Sequence, residues 1–278
     1  MRVVQQFVAV GLVALAGSLA VGAVQWNPVL TLVLGLVTAV ATLLAYGWVV
    51  RRSEHRAPTE VARSGAGRAL GRGMLIGLAM FGAVIGTIAL LGDYRVTGWG
   101  SVTGAIALFG FMAAAAVTEE VIFRGILFRI LEERAGTWWS LALTSTLFGL
   151  MHLFNEHATL WGAVAIAVEA GAMLAAAYAA TRKLWVPIGL HFAWNFAEGG
   201  LFGTQVSGTD APKGLLDGVL SGPALVSGGD FGPEASLYTL AAGIALTAAF
   251  LWLAHRRGHL VSRRRRSVPA AAPATLSR

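Results

Sequence analysis

The chain has 278 residues, of which 56% are hydrophobic and only 13% are charged. Soluble globular domains carry about 25% charged residues, so this composition excludes a soluble enzyme, a disordered chain and a nucleic-acid-binding domain. The net charge is +7, but the basic residues lie at the ends of apolar stretches, where they act as topology signals. The absence of cysteine excludes disulfides, thiolate metal sites and cysteine nucleophiles.

Eight apolar stretches have the length of membrane-spanning helices, which need about 20 residues each. We therefore predict an all-α fold class: a polytopic membrane helix bundle with about eight spans. A signal peptide is the alternative for the first stretch, but a second span follows almost at once, and we expect the first to be kept. The predicted spans are 4–25, 29–50, 73–92, 102–131, 138–155, 159–181, 184–202 and 237–255.

The predicted spans group into three parts of one membrane domain. Residues 1–100 contain three spans and a basic loop, and residues 101–202 form a core of four spans. Residues 203–278 contain an acidic loop, the last span and a basic tail. We expect the stretch 214–220 of the acidic loop to lie at the membrane interface, and the tail 256–278 to be disordered.

The connections between spans alternate in their content of arginine and lysine. Basic loops stay on the cytoplasmic side of a membrane, so eight spans place both termini in the cytoplasm. We expect an integral protein of a bacterial cytoplasmic membrane, surrounded by membrane lipid and without a nucleic-acid partner. The basic segments are 51–72, 132–136, 182–183 and 256–266, and the segments poor in basic residues are 26–28, 93–100, 156–158 and 203–236.

Two adjacent acids and an arginine lie within the fourth predicted span. An ionisable side chain at mid-bilayer costs about 2.5–3.5 kcal/mol, so these residues are functional candidates. Glu120 and Arg124 are four residues apart, share a helix face and are predicted to form an ion pair. Glu119 points roughly 100° away from that face. It has no partner in its own segment and is left free to act chemically.

Two further spans carry polar pairs with the same spacing. The fifth contains Phe148 and His152, and the seventh contains His191 and Asn195. Each pair alone is typical of interhelical hydrogen bonding, but with Glu119 they could converge on one pocket. Such a set can bind zinc with an open position. Alternatively, the acid and one histidine activate water while the remaining groups stabilise an oxyanion. Both routes hydrolyse an acyl bond.

The three motifs, in this order, resemble the CPBP family, the membrane proteases that include the type II CAAX prenyl endopeptidases. The family pattern is EExxxR, then FxxxH, then HxxxN. The similarity extends over about residues 100–200 and includes Gly125 and the segment 184–187 that precedes the third motif. No motif position departs from the family pattern. The matching segments are Glu119-Glu120-x-x-x-Arg124, Phe148-x-x-x-His152 and His191-x-x-x-Asn195.

The resemblance implies a role for each motif residue. Glu119 would be the general base and would deprotonate a water molecule together with His152. His191 and Asn195 would stabilise the oxyanion. The side chains implied to support the site are Glu120, Arg124 and Phe148.

The resemblance leaves the cofactor open. We expect none, because a carboxamide such as Asn195 is a poor zinc ligand but a good oxyanion donor. The alternative is Zn²⁺ held by Glu119, His152 and His191.

The depths of the motif residues do not agree along straight helices. At about 1.5 Å per residue, Glu119 and His152 lie roughly 22 Å from the basic end of their spans, whereas His191 lies roughly 10 Å from it. Either the seventh span starts deeper or the predicted boundaries are wrong, so the face to which the pocket opens stays undetermined. Glu169 and Glu198 lie inside spans but outside the motifs. They pair with polar groups, line a water path or contribute to a substrate groove.

These observations predict an intramembrane endopeptidase that hydrolyses a peptide bond in a membrane-associated peptide or protein. One alternative is a transporter or proton pathway, since buried Glu, His and Arg also build these. Such proteins favour internal repeats, and no convincing repeat is present. The other alternative is a non-catalytic membrane immunity or binding protein. The arginine-rich composition indicates a bacterium, where prenylated CAAX proteins are not expected, so we expect a peptide or small membrane protein as substrate.

Overall fold

The computed structural model describes residues 2–263, so the end of the predicted basic tail lies outside the described residues. The chain forms a helix bundle with one small two-stranded sheet. Asn27 and Pro28 start the second helix, because the Asn27 side chain accepts a hydrogen bond from the Leu30 amide and proline suits a first helical position. The first three long helices are α1 (Arg2–Ala23), α2 (Pro28–Glu54) and α3 (Ala66–Leu90).

Consecutive helical segments follow one another over the 53 residues Val102–Phe154, with a break at Gly136. A straight helix of this length would measure about 80 Å, far more than the ~30 Å apolar core of a bilayer. The segments are α4 (Val102–Glu120), a π-helical stretch (Val121–Phe128), α5 (Arg129–Met151) and a 3₁₀ turn (His152–Phe154).

A reversal at Gly136 divides this long stretch into two antiparallel parts. Gly136 has φ 78° and ψ 169°, a conformation that side chains rarely tolerate, and an added Cβ would lie 2.7 Å from the Arg263 amide nitrogen. The rings of Phe123 and Phe148 are consequently only 5.0 Å apart although 25 residues separate them. The fourth and fifth predicted spans are therefore separate helices.

The second half of the chain adds shorter helices. Six stretches of residues 2–263 are long and apolar enough to cross a membrane, and the long one folds back on itself. Helix α8 with its π-helical extension ends at Leu201 and is too short to be counted among the six, so the number eight stays a prediction. The remaining helical segments are α6 (Leu160–Ile166), a π-helical stretch (Ala167–Ala172), α7 (Met173–Thr181), α8 (Trp185–Asn195), a π-helical stretch (Phe196–Leu201), the single-turn α9 (Ala224–Ser227), α10 (Leu237–Arg256) and 3₁₀ turns at Thr59–Val61, Gly229–Phe231 and Pro233–Ala235.

A two-stranded sheet joins two of the loops that are poor in basic residues. Strands β1 (Tyr94–Trp99) and β2 (Leu216–Leu220) are antiparallel. The sequence analysis did not predict these strands. A third loop of the same kind joins them, because His157 Nε2 lies 2.9 Å from Asp210 Oδ1. These loops therefore gather at one end of the bundle, called the sheet end below.

The basic loops gather at the opposite end, as their charge pattern predicts. Arg129 donates hydrogen bonds to Glu54 at 2.7 Å and to the buried Gln6 at 3.0 Å, which ties α5 to α2 and α1. Arg182 binds Glu132 and joins the end of α7 to the same cluster. The separation of the two kinds of loop agrees with spans that run alternately up and down.

The start of α8 reduces the mismatch in depth between Glu119 and His191. Leu184 is fully buried, and its amide donates to the Glu60 carbonyl at 2.9 Å, so the seventh span begins beneath the loop after α2. The fourth span reaches this level near Arg129 and continues past it to Gly136. Glu119 is therefore about 15 Å from the bundle end. Counting from Arg134 overstated its depth.

Glycines bring the motif-bearing helices close to their neighbours. A Cβ at Gly35 of α2 would lie 2.1 Å from the Gly110 carbonyl oxygen of α4. A Cβ at Gly73 of α3 would lie 2.2 Å from the Val186 carbonyl oxygen of α8. Such small-residue contacts let membrane helices pack backbone to backbone, and here they fix α4 and α8 within the bundle.

Candidate active site

The two adjacent acids at the end of α4 face different surroundings. The Glu120 side chain is fully buried, whereas the Glu119 side chain is 34% exposed. The π-helical stretch that follows them widens the helix, a feature that is frequent at functional sites. As the sequence predicts, one acid is held inside the bundle and the other is accessible.

Glu120 is the centre of a buried polar cluster that joins three spans. Its Oε1 accepts a hydrogen bond from Arg124 Nη1 at 2.8 Å and lies 2.9 Å from His191 Nδ1. The second guanidinium nitrogen of Arg124 donates to the Ala170 and Gly171 carbonyls at 3.2 and 3.0 Å. The predicted Glu120–Arg124 ion pair is therefore present, and it also holds the π-helical stretch of the sixth span.

Phe148 packs against Arg124 of this cluster and against both histidines. It is 1% exposed, and the guanidinium carbon of Arg124 lies 4.6 Å from the centre of its ring. The ring centre is 4.9 Å from that of His152 and 6.1 Å from that of His191. The phenyl group is thus a packed spacer that sets the positions of both imidazoles.

The two imidazoles are oriented by different partners. His152 Nδ1 lies 2.8 Å from the Phe148 carbonyl oxygen, one turn earlier, so a proton on Nδ1 leaves Nε2 as a free acceptor. His191 Nδ1 faces Glu120, and its Nε2 lies 3.9 Å from Glu119 Oε2. A protonated His191 between two carboxylates has N–H donors at both ring positions.

A cavity of about 420 Å³ lies beside Glu119 and is also lined by His152 and Asn195. His191 does not line this cavity and reaches it only through Glu119. The cavity therefore brings together three of the four predicted catalytic residues, with the fourth adjacent. Most of the other lining side chains are apolar, among them Phe111, Met112, Ile122, Phe123 and Leu127.

The edge of the cavity reaches the outer surface of the bundle. Phe7 of α1 and Leu147 and Met151 of α5 line it and are 45%, 44% and 50% exposed. This apolar outer surface would face lipid. The space between α1 and α5 therefore gives a lateral route from the bilayer to Glu119.

A much smaller space, about 10 Å³, adjoins the site on the inner side of the histidines. It has the size of about one water molecule. His152, His191 and Asn195 line it together with the buried acids Glu169 and Glu234.

Three buried acids outside the motifs lie close to one another. Among the described residues, no hydrogen-bond donor is placed on the carboxyl oxygens of Glu169 or Glu198, although the Glu198 carboxyl lies within hydrogen-bonding reach of the Glu234 carboxyl. Both acids are close enough to Glu234 to interact electrostatically. Glu234 accepts hydrogen bonds from Trp194 Nε1 at 3.1 Å and from Ser207 Oγ at 2.6 Å. The unassigned Glu169 and Glu198 thus belong to one cluster next to the site.

The donor set does not form a metal site in this structure. Within residues 2–263, no three His, Asp or Glu side chains are gathered closely enough to hold a metal ion. Nδ1 of His191 contacts Glu120 and Nδ1 of His152 contacts the Phe148 carbonyl oxygen, which leaves Nε2 of each ring without these partners. The zinc alternative with Glu119, His152 and His191 therefore stays a prediction.

The structure adds four residues to the site that sequence reasoning missed. Asn155, Ser207 and Thr209 line the cavity, and Glu234 lines the small space behind it. Asn155 lies only three residues after His152, a proximity that could have indicated it. The other three come from a loop whose sequence shows no helical periodicity, so no pattern connects them to the motifs.

Comparisons with known proteins agree with the motifs. A family model described as "Type II CAAX prenyl endopeptidase Rce1-like" matches residues 101–197. The "Putative membrane peptidase YdiL" of Bacillus subtilis (strain 168) is 28% identical over 152 residues, which cover 50% of this chain and 60% of that protein. The chain thus matches less than two thirds of this relative's length. No solved structure matches the chain. With its three motifs in order on three helices, the chain is similar to the CPBP family of membrane proteases over this region.

Proposed function

We propose that this protein is an intramembrane endopeptidase that hydrolyses a peptide bond in a membrane-associated peptide or protein. The observation that carries the proposal is the accessible Glu119 in an apolar cavity that it shares with His152 and Asn195. A carboxylate surrounded by apolar side chains is suited to activating a water molecule for attack on a lipid-embedded substrate.

The proposed reaction begins at Glu119 and His152. Glu119 takes a proton from a water molecule, which the free Nε2 of His152 orients by accepting its second hydrogen. The water oxygen attacks the scissile carbonyl carbon and forms a tetrahedral intermediate. Its oxyanion accepts hydrogen bonds from Asn195 and His191. When the C–N bond breaks, Glu119 returns its proton to the leaving amine, so a carboxylic acid and an amine are released.

The supporting residues keep this arrangement in place. Glu120 and Arg124 hold His191 against the end of α4, and Phe148 fixes the spacing of the imidazoles. We propose a metal-free reaction, because Asn195 is better suited to an oxyanion than to zinc and the described side chains are not gathered closely enough to hold a metal ion. Activity that requires stoichiometric zinc and disappears with a chelator would overturn the proposal of a metal-free reaction.

The proposed substrate enters from the bilayer between α1 and α5, because the exposed cavity edge lies there. A peptide or small membrane protein with an apolar segment around the scissile bond fits the apolar lining. We propose a bacterial cytoplasmic membrane as the location, with both termini in the cytoplasm. In this cysteine-free chain, Ser64→Cys and Ser221→Cys should label from opposite sides of the membrane, with the first on the cytoplasmic side.

The test compares wild type with Glu119→Gln, which is nearly isosteric, and with Glu156→Gln as a matched control on an exposed loop. The three forms are expressed at equal levels in the native host, and peptide termini are mapped in membrane and medium. We expect termini that appear with wild type and Glu156→Gln and fall by about 10²- to 10⁴-fold with Glu119→Gln.

Two other outcomes would favour a non-catalytic binding or immunity protein, or a transporter. Identical termini from all three forms at matched expression would contradict the protease and support a non-catalytic binding or immunity protein. Proton flux in vesicles that disappears with Glu119→Gln, without proteolysis, would support a transporter.

A further inference from the structure

A chain of four hydrogen-bonded residues connects the second and third motifs from outside them. Trp194 Nε1 donates to Glu234 Oε1 at 3.1 Å, and Ser207 Oγ donates to Glu234 Oε2 at 2.6 Å. Asn155 Nδ2 in turn donates to the Ser207 carbonyl oxygen at 2.7 Å. One end, Trp194, belongs to α8, and the other end, Asn155, follows the 3₁₀ turn after α5. The middle belongs to the segment before α10.

The two ends of this hydrogen-bonded chain of residues lie next to the predicted catalytic residues. Trp194 immediately precedes Asn195 on α8, and its ring is 3% exposed and packs edge-on against Phe81 at 5.0 Å. Asn155 immediately follows the 3₁₀ turn that begins at His152. The hydrogen-bonded residues therefore span the distance between His152, proposed to orient the water, and Asn195, the proposed oxyanion donor.

The turn that contains Ser207 is held in an uncommon conformation. Ser207 has φ +50°, in the left-handed region that residues other than glycine seldom adopt. Such a conformation persists only where the surroundings impose it, and it occurs most often at functional sites. The neighbouring Gly208 is also fixed, since its amide donates to the Phe231 carbonyl at 2.7 Å and its carbonyl accepts from the His157 amide at 2.9 Å.

This turn forms the wall between the two spaces at the site. Ser207 lines both the 420 Å³ cavity and the small space behind it, and Thr209 lines the larger one. Glu234 is 2% exposed, so water does not compete for its two hydrogen bonds. A carboxylate is the acceptor that suits two donors converging from different elements, because each of its oxygens accepts.

We propose that Glu234 is a positioning residue of the active site. Its hydrogen bonds to Trp194 and Ser207 lock the wall of the cavity against α8 and keep His152 and Asn195 at a fixed separation. The catalytic consequence of this role rests on the proposed function. The locking of the wall is a property of the folded protein and can be measured without a substrate.

The first experiment measures how often the wall opens. The natural chain lacks cysteine, so a single Thr209→Cys reports access to the wall through its rate of labelling by N-ethylmaleimide. A single Cys at the buried Thr42 of α2 reports global unfolding. Glu234→Ala removes both hydrogen bonds, Glu234→Gln can keep a neutral bond to each partner, and Asp230→Asn is the matched control on the exposed surface of the same loop.

The positioning role predicts an ordered result. Labelling at 209 should rise about tenfold or more with Glu234→Ala, rise less than about threefold with Glu234→Gln and stay unchanged with Asp230→Asn, while labelling at 42 stays constant. The proposal is wrong if Glu234→Ala leaves labelling at 209 unchanged, or if labelling at 42 rises with it. It is also wrong if Glu234→Gln behaves like Glu234→Ala, since the charge rather than the hydrogen bonds would then matter.

The second experiment measures cleavage of a substrate identified by terminus mapping. Glu234→Ala should lower kcat by about 10²-fold with a small change in KM, because a displacement of about 1 Å in catalytic groups has that effect. Glu234→Gln should retain most of the wild-type kcat. An unchanged kcat per folded molecule in Glu234→Ala would overturn the claim that Glu234 positions the catalytic groups. If wild type shows no cleavage at all, the proposed function fails, and the labelling result still decides whether Glu234 locks the wall.

Discussion

Two groups of buried acids lie within or beside the three sequence motifs, and their surroundings differ. Glu120 is fully buried but binds Arg124 and His191. Glu169 and Glu198 are equally buried, and within residues 2–263 neither has a cationic partner or a hydrogen-bond donor on its carboxyl oxygens. An unpaired buried charge is costly enough that the group neutralises instead. We therefore expect one group to be an ion-pair cluster, and Glu169 and Glu198 of the other group to be neutral carboxyls.

The difference shows what each group is suited to do. The ion-pair cluster of Glu120 fixes the geometry around His191, because a buried charge has to keep its partners. In the second cluster, Glu234 accepts hydrogen bonds from two donors on other elements, whereas Glu169 and Glu198 accept none. Its contribution to the site therefore depends on Glu234, and the two others should matter little.

The largest expected effect tests the ion-pair cluster. Arg124→Met keeps much of the side-chain volume but leaves Glu120 without its guanidinium partner. Breaking a buried pair in this way costs about 3–5 kcal/mol, which thermal or denaturant unfolding in detergent would measure. The matched control is Arg95→Met on the exposed strand β1, which should change stability by less than about 0.5 kcal/mol. An equal effect of the two changes would contradict the cluster.

A smaller effect tests whether charge is the cause. Adding Glu120→Gln to Arg124→Met removes the unpaired carboxylate, so part of the lost stability should return, about 1–3 kcal/mol. The two changes should therefore be non-additive when compared in a double-mutant cycle. A double variant that is less stable than Arg124→Met would show that lost packing, not an uncompensated charge, dominates.

The smallest effect tests the second group of acids. Glu169→Gln and Glu198→Gln replace a neutral carboxyl by a neutral amide of similar shape, so each should change stability by less than about 1 kcal/mol. The same unfolding measurement applies. A loss as large as that of Arg124→Met would mean that these acids are ionised and have a cationic partner, and the contrast between the two groups would disappear.

Local spacing was sufficient to predict the parts of the site that lie on one helix. The Glu120–Arg124 ion pair and the proximity of Phe148 to His152 follow from residues four positions apart, which face the same side of any helix. The accessibility of Glu119 relative to Glu120 follows from the same geometry. The separation of basic and non-basic loops to opposite ends also follows from the sequence, because apolar length and loop charge determine where chain segments can lie in a membrane.

Contacts between distant segments could be decided only by the tertiary structure. Nothing in the sequence near Glu234 indicates that it binds Trp194, which lies 40 residues earlier, or that Ser207 joins it at the cavity wall. The reversal at Gly136 and the pairing of β1 with β2 are of the same kind. The physical reason is that helical periodicity encodes neighbours on one helix face, whereas loop positions depend on how all the helices pack together. The sequence by itself determined the class of protein and the residues of its motifs, and packing decided which other residues complete the site.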